Sequence, residues 1–189
     1  MRLFVAVHIP GQVREALAEF CDQCKASPAL PKKVKWVEPE NLHLTLKFFG
    51  EIEENRLEDL SKSLSRAFED QEPFSVAARG IGIFPEKGSP RVLWAGIGDP
   101  DQRLRDLADS IDRETVSAGF PPSDHLFSAH LTLARFPLVH VKALKTEISK
   151  HQSRSFGEIR VQKSALVRSR LGPSGAVYTD LKEFYLHDR

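Results

Sequence analysis

The sequence predicts a mixed α/β (α+β) protein built from two similar lobes, and three observations support this prediction. Short apolar stretches rich in β-branched residues alternate with segments whose apolar residues recur at helical spacing. The tetrapeptide HLTL occurs twice, at 43–46 and at 130–133. The segments around both copies follow one order: strand, helix, HLTL strand, helix. The 189 residues are therefore expected to form a single domain, 1–189, of two closely packed lobes.

The first half of the chain contains a strand ended by Pro10-Gly11, a helix, the first HLTL strand, a second helix and a third strand. These elements are predicted at 3–9, 12–26, 41–50, 55–68 and 73–84. Both helices show an apolar stripe that can pack on a sheet. The first HLTL strand ends at Gly50, and the turn PEKGSP closes this half.

The second half repeats this order. A strand, a helix, the second HLTL strand and another helix are followed by two strands joined by GPSG; the predicted ranges are 91–98, 99–119, 126–136, 141–152, 159–171 and 176–187. Asp99 is expected to cap the first of these helices, and Gly119 to follow its end. The repeat units are thus approximately 1–85 and 90–155, with C-terminal strands within 158–187.

A near-constant spacing argues that the repeat is a duplication. About 0.2 identical tetrapeptides are expected by chance in a chain of this length, so HLTL alone is weak evidence. However, Leu3–Ala6 aligns with Val92–Ala95 at an offset of 89 residues, and the two HLTL copies are 87 apart. The difference of two residues falls in loops, as expected of duplicated units.

Composition excludes several classes of protein. The hydrophobic fraction of 41% and the charged fraction of 28% are typical of soluble globular proteins. A net charge of +1 gives no overall electrostatic field that would attract nucleic acid, although it does not exclude a local basic patch. The N-terminal apolar run is too short for a signal peptide or membrane span, so a cytoplasmic protein without membrane contact is expected. With no exposed apolar stripe, a monomer is expected.

Cys21 and Cys24 form the sequence CDQC, which raises the question of a redox or zinc site. The pair lies well inside a predicted amphipathic helix, whereas a reactive thiolate is stabilised at a helix start. A second CxxC that would complete a zinc site is absent from the sequence. A structural role for both cysteines is favoured.

The HLTL motifs carry the candidate chemistry. Side chains alternate faces along a strand, so His43 and Thr45 share one face while the leucines anchor the other, and the same holds for His130 and Thr132. Two imidazoles with an unperturbed pKa near 6.5 can act as one general base and one general acid near neutral pH. Phosphodiester cleavage needs this combination, and hydroxyls can hold the phosphate oxygens without a metal.

Two rival interpretations remain open at this point. A histidine on a strand is often a half-buried polar residue, and threonine is a common strand former. Two histidines on strands can also bind zinc. The nearest acids in the sequence are Glu38 and Glu40 near the first motif and Asp124 near the second, none at ligand spacing.

The sequence resembles the two-histidine (2H) phosphoesterase superfamily, which is defined by paired His-x-Thr/Ser-x motifs. More narrowly, it resembles the RNA 2′,3′-cyclic phosphodiesterase family, LigT-like proteins once called 2′-5′ RNA ligases. The similarity covers nearly the whole chain, and its motifs are RLFVAVHIP, WVEPENLHLTLKFFGEI, GIGIFP, PRVLWAGI, HLTLAR and GAVYTDLKEFYL.

The resemblance implies a bilobal fold of antiparallel-rich sheet with outer helices around a central cleft. It implies hydrolysis of 2′,3′-cyclic phosphates at RNA 3′ ends to 2′-phosphates, with RNA or small cyclic nucleotides as partners and no metal or other cofactor. His43 would protonate the leaving O3′ and His130 would activate water. Thr45 and Thr132 would contact phosphate oxygens.

Phe48 and Arg135 lie five residues after the two histidines, and the resemblance associates these positions with substrate contact. Strict alternation would point both side chains away from the histidines, so each strand is expected to bend or end there. Core packing for Phe48 and a solvated charge for Arg135 are the alternatives.

One position departs from the family pattern, because Ala129 replaces the usual proline before the second motif. The histidines and hydroxyls are intact, so activity is still expected. Four cationic residues are candidates for guiding RNA into the cleft, with ordinary soluble surface as the alternative: Lys33, Lys35, Arg168 and Arg170.

Two other functions remain as alternatives. The first is RNA end joining through a 2′-5′ linkage in the same cleft. The second is a non-catalytic module that binds RNA ends.

Overall fold

The computed structural model describes residues 1–27, 33–136, 142–172 and 175–187. Within these residues the chain forms nine strands and four α-helices. In chain order they are β1 Arg2–His8, α1 Gly11–Lys25, β2 Lys35–Trp36, β3 His43–Glu51, α2 Leu57–Phe68, β4 Phe74–Phe84, β5 Val92–Gly98, α3 Arg103–Ser117, β6 His130–Arg135, α4 Lys142–Ser149, β7 Ser155–Val161, β8 Lys163–Gly172 and β9 Gly175–Tyr185.

All nine strands join one curled antiparallel sheet, which confirms the mixed α+β fold class. The strand order is β7-β4-β5-β6-β3-β1-β8-β9, and the short β2 pairs with β6. The two HLTL strands, β3 and β6, are neighbours at the centre. Strand β4 follows α2 in sequence but lies beside β5, and β8 returns to lie beside β1. One half of the sheet, β3-β1-β8-β9, therefore contains strands from both ends of the chain, and the other half, β7-β4-β5-β6, is built from its middle.

The structure differs from the sequence prediction in the C-terminal region. The predicted single strand 159–171 is two strands, β7 and β8, with a break at Gln162. Strand β7 pairs with β4 and β8 pairs with β1, on opposite sides of the sheet centre. Hydropathy shows how deeply a segment is buried and not which strand it pairs with, so the change of partner is invisible in the sequence.

Two predicted elements start later than expected. Helix α3 begins at Arg103, because the Asp99 carboxylate accepts the backbone N–H of Leu104 at 2.9 Å and Gln102 adopts a left-handed conformation with φ of 56°. Asp99 is thus the predicted cap, placed a few residues before the helix. Strand β6 begins at His130, after a largely exposed loop over 121–129. The predicted GPSG turn and the start of the helix at 141–152 fall partly outside the described residues.

The main hydrophobic core lies between the helices and one face of the sheet. The leucines of both HLTL motifs are in it, with Leu44, Leu131 and Leu133 fully buried and Leu46 nearly so. The opposite, concave face carries a smaller apolar cluster with Phe4 at its centre. The alternation inferred from the sequence therefore separates the two faces as expected.

Cys21 and Cys24 lie on the buried side of α1. Burial raises the pKa of the Cys21 thiol to about 12, so the nucleophilic thiolate is strongly disfavoured near neutral pH. This environment fits the structural role.

Lys47 is a buried cation that ties β3 to α3. Its side chain is 1% exposed, and its Nζ donates hydrogen bonds to Asp112 Oδ1 at 2.7 Å and to Thr115 Oγ1 at 2.9 Å. The Asp112 carboxylate also accepts hydrogen bonds from Ser123. Partial burial works to raise the pKa of Asp112, but the hydrogen bonds from Lys47 and Ser123 outweigh it and hold the pKa below its ordinary value.

We predict that Lys47→Met destabilises the protein by about 2 kcal/mol, because methionine keeps the apolar stem but leaves Asp112 and Thr115 without their shared donor. Urea unfolding followed by circular dichroism measures the change. Lys62→Met, which breaks an exposed ion pair with Glu58, is the matched control and should leave the midpoint unchanged. Equal losses from both variants would show that burial of the Lys47 pair contributes nothing.

Candidate active site

The two HLTL strands meet at one register point. Leu44 pairs with Leu131, and these residues are 87 apart, the same spacing that separates the two histidines. The two leucines hold the same place in their motifs and their strands are antiparallel. A local twofold axis therefore passes between them. Extending the register by one residue in each direction places His43 beside Thr132 and Thr45 beside His130. The four side chains therefore share the concave face.

Each strand contains a β-bulge at the last leucine of its motif. On β3, Thr45 pairs with Ala6 and Lys47 pairs with Val5, so Leu46 is an extra residue. On β6, Leu133 is extra in the same way, because Thr132 pairs with Trp94 and Ala134 with Leu93.

The bulges reverse the side-chain alternation beyond them. As a result Phe48, 48% exposed, and Arg135, also exposed, return to the face of the histidines. This is the departure from strict alternation expected from the sequence. It brings both predicted substrate-contact residues to the cleft.

Both imidazoles are held in the same orientation. His43 Nδ1 lies 2.6 Å from the carbonyl oxygen of Asn41, and His130 Nδ1 lies 2.7 Å from the carbonyl oxygen of Ser128. A carbonyl only accepts hydrogen bonds, so Nδ1 of each ring carries a proton. The Nε2 atom of each ring is therefore the one that exchanges protons with a substrate, either as base or as acid.

The surroundings of His43 are aromatic. The ring stacks on Phe4 with centroids 4.8 Å apart and meets the edge of Tyr178 at 5.2 Å. Burial lowers the pKa of His43, and the nearby His8 and His130 act in the same direction, while the hydrogen bond to the Asn41 carbonyl partly opposes them. The neutral form of His43 is favoured in the free protein.

A cleft of about 940 Å³ opens on the concave face. All six residues predicted for the site line it: His43, Thr45, Phe48, His130, Thr132 and Arg135. Of the four candidate RNA-guiding cations, Lys35 lines the cleft, whereas Lys33, Arg168 and Arg170 do not. Ala129, which precedes the second motif, is partly buried against the main core.

The cleft is asymmetric although the two motifs are related by a twofold axis. It extends over β1, β8 and β9, beside His43, and none of the residues of β4 or β5 lines it. Ala6 and Trp94 hold equivalent positions, opposite Thr45 and Thr132. This pairing corresponds to an offset of 88 residues and corrects by one the alignment of Leu3–Ala6 on Val92–Ala95.

Trp94 occupies the space on the side of His130. Its ring stacks on Phe84 with centroids 5.0 Å apart and lies 6.4 Å from the His130 ring. The indole packs so closely on Gly82 that a Cβ at that position would collide with it. Trp94 thus packs beside His130, whereas the equivalent Ala6 is fully buried and does not line the cleft.

Sequence reasoning missed Tyr178 and Phe4 as site residues. Both line the cleft and pack on His43, from β9 and β1 respectively. Tyr178 lies in GAVYTDLKEFYL, one of the motifs shared with the family, and this was the available signal. Backbone carbonyls that orient the histidines carry no signal in the sequence.

The described residues contain no group of three or more histidine, cysteine, aspartate or glutamate side chains placed to hold a metal ion. Among the same residues, no helix has the length and apolar character needed to cross a membrane.

Comparison with known proteins gives a consistent result. The family model described as "LigT like Phosphoesterase" matches residues 7–94 and 97–178. A protein of Methanothermobacter thermautotrophicus named RNA 2′,3′-cyclic phosphodiesterase is 36% identical, over 98% of this chain and 99% of its own length. A protein of the same name from Archaeoglobus fulgidus is 38% identical, over 97% of this chain and 99% of its own length.

Two solved structures are similar throughout. The protein TT0787 of Thermus thermophilus is 36% identical, covers 98% of both chains and has a TM-score of 0.79. E. coli LigT complexed with 3′-AMP is 26% identical, covers 99% of this chain and 98% of its own, and has a TM-score of 0.78. The family model and the identities over nearly full length establish that this chain belongs to the LigT-like phosphoesterase family.

Proposed function

We propose that the protein hydrolyses 2′,3′-cyclic phosphates at RNA 3′ ends to 2′-phosphomonoesters, by general acid–base catalysis with His43 and His130 and without a metal ion. The observation that carries the proposal is the pair of imidazoles in one cleft, each with Nδ1 bound to a backbone carbonyl. Relatives that are more than 30% identical over nearly their whole length carry the name of this activity.

The reaction needs one proton removed and one supplied. A water oxygen attacks the phosphorus while His130 Nε2 accepts the water proton. The bond from phosphorus to O3′ breaks, and His43 Nε2–H donates its proton to O3′. The phosphate stays attached through O2′, which gives the 2′-phosphate. Thr45 and Thr132 line the same cleft as the two histidines, where their hydroxyls can donate to the non-bridging oxygens as charge builds.

The asymmetry of the cleft supports His43 as the acid. The leaving O3′ belongs to the ribose, so the acid stands on the nucleoside side of the phosphate, whereas the base needs room only for water. Residues of β1, β8 and β9 line the cleft on the side of His43, whereas Trp94 and Phe84 pack against His130 and no residue of their strands lines the cleft. This arrangement favours nucleoside binding over β1, β8 and β9.

Substrate binding also favours the protonated form of His43, which is the form that acts as the acid. Burial keeps the pKa of His43 low in the free protein. A phosphate anion placed beside the ring favours the charged form and raises the pKa again. Phe48 and Arg135, at the two ends of the motif face, are suited to stack on a base and to bind phosphate. We further propose that the protein acts as a cytoplasmic monomer.

His43→Ala and His130→Ala should each reduce turnover of cytidine 2′,3′-cyclic phosphate by about 100-fold or more while the proteins stay folded. Chromatography of the products measures rate and isomer, and circular dichroism is the control for folding. Wild-type activity should persist in excess EDTA and give the 2′-phosphate. A 3′-phosphate product, or complete loss in chelator, contradicts the proposal. Formation of 2′-5′-linked RNA would favour the end-joining alternative, and RNA binding without turnover would favour the binding module.

A substrate whose leaving group needs no proton distinguishes the acid from the base. In 3′-deoxyadenosine 2′-(4-nitrophenyl phosphate), nitrophenolate replaces O3′ and is a stable anion near neutral pH. The loss of activity caused by His43→Ala, relative to wild type, should be about 100-fold smaller on this ester than on the cyclic phosphate. The loss caused by His130→Ala should be the same on both substrates. If instead His130→Ala shows the smaller loss on the ester and His43→Ala loses activity equally on both, His130 is the acid and His43 is the base.

The depressed pKa of His43 predicts a pH dependence of stability. The unfolded chain binds a proton at His43 near its ordinary pKa of about 6.5, before the folded chain does, so the free energy of unfolding falls as the pH drops below that value. His43→Gln removes this contribution, so the free energy of unfolding of this variant should fall less steeply between about pH 7 and 5. Urea titrations across this range measure it, and an unchanged slope would contradict the assignment.

A further inference from the structure

The short strand β2 forms a wall of the cleft on the side of β6. Lys35 pairs with Arg135, Trp36 pairs with Ala134, and the N–H of Val37 donates to the carbonyl of Leu133 at 2.9 Å. Strands β3 and β6 share a single register pair, so β2 occupies the edge of β6 that β3 leaves. Half-buried Trp36 and exposed Lys35 both line the cleft.

The cleft concentrates positive charge, and most of it lies at this wall. Among the described residues that line the cleft, Lys25, Lys35 and Arg135 are the cations at the wall and Arg2 of β1 is a fourth, whereas Glu38 is the only acid. Within the described part of the chain, Arg2, Lys35 and Arg135 have no carboxylate partner, while Lys25 pairs with Asp22 at 2.7 Å and its Nζ lies 5.8 Å from the Trp36 ring centroid. The whole chain has a net charge of only +1, so the excess is local.

The terminal nucleotide leaves this wall unoccupied. Under the proposed function, its nucleoside lies over β1, β8 and β9, beside Phe4 and Tyr178, and its phosphate lies between the histidines. Strand β2 pairs with β6 on the edge that faces β3, because β5 occupies the other edge, and it does not pair with β1, β8 or β9. Arg135 is three residues along β6 from Thr132, at most about 10 Å away, and so is within reach of the phosphodiester joined to O5′ of the terminal nucleoside.

We propose that the β2 wall is a subsite for the preceding nucleotide of an RNA chain: Lys35, with Arg135, binds the upstream phosphodiester, and Trp36 contacts the base. Cationic side chains beside an accessible aromatic ring are the combination that binds single-stranded nucleic acid without sequence preference, and half-buried Trp36 lines the cleft. This inference rests on the proposed function and narrows its substrate class to oligonucleotides in preference to mononucleotides.

The test compares kcat/KM for cytidine 2′,3′-cyclic phosphate with that for a trinucleotide ending in the same cyclic cytidylate, at about 50 and 200 mM salt. Wild type should prefer the trinucleotide by about tenfold or more. Trp36→Leu should reduce this preference by about tenfold, since stacking of one base is lost. Lys35→Gln should weaken it and lower the slope of log(kcat/KM) against log salt by about 0.7.

Neither Trp36→Leu nor Lys35→Gln should change kcat/KM for the mononucleotide by more than about twofold. The matched control is Lys33→Gln, which removes an exposed neighbouring cation that does not line the cleft, and it should leave both substrates unaffected. Equal kcat/KM for the two substrates in wild type overturns the subsite, as does an equal effect of Lys33→Gln and Lys35→Gln on the trinucleotide.

Failure of the proposed function gives a different result, in which wild type hydrolyses neither substrate. The subsite is then tested by calorimetric binding of cytidine 2′-phosphate and of the matching trinucleotide 2′-phosphate. Tighter binding of the trinucleotide that Lys35→Gln abolishes supports the subsite, and equal affinities overturn it.

Discussion

The active-site face depends on one backbone constraint, the pairing of Leu44 with Leu131 at the centre of the sheet. Because both residues are fully buried, their side chains fix the register of β3 against β6, and a slip of one residue would turn the histidines into the core. The β-bulges at Leu46 and Leu133 then follow at equal distances on each strand. They bend both strands and return Phe48 and Arg135 to the cleft.

A twofold arrangement of identical motifs gives two equivalent histidines, but the proposed reaction needs an acid and a base. Their hydrogen bonds do not distinguish them, since both Nδ1 atoms bind the carbonyl two residues earlier. The difference arises in the neighbouring strands, where Ala6 and Trp94 hold equivalent places. On the side of His43 the cleft is lined by residues of β1, β8 and β9, whereas on the side of His130 Trp94 packs on Phe84 and Gly82 and lines no cleft. The strands that flank the two motifs thus break the symmetry.

Much of the site was predictable because its determinants are local. Strand alternation placed His43 and Thr45 on one face, and the same spacing repeated at His130 and Thr132. It also showed that Phe48 and Arg135 required a departure from regular strand geometry. Tyr178 could not be found by such reasoning, because β9 reaches His43 only through the order of β1, β8 and β9 in the sheet. Lys47 was likewise invisible as a buried cation until Asp112 of α3 was placed beside it.

The sequence by itself determined the fold class, the two equivalent strands and the four polar side chains that share a face, since these follow from periodicity and from repeated motifs. Only the tertiary structure decided that residues 155–172 divide between two sides of the sheet, that the alignment of β1 with β5 is offset by 88, and that the cleft opens beside His43. The physical reason is that periodicity records whether a residue is buried. Which strand it pairs with, and how much space remains beside it, depend on residues distant in the chain.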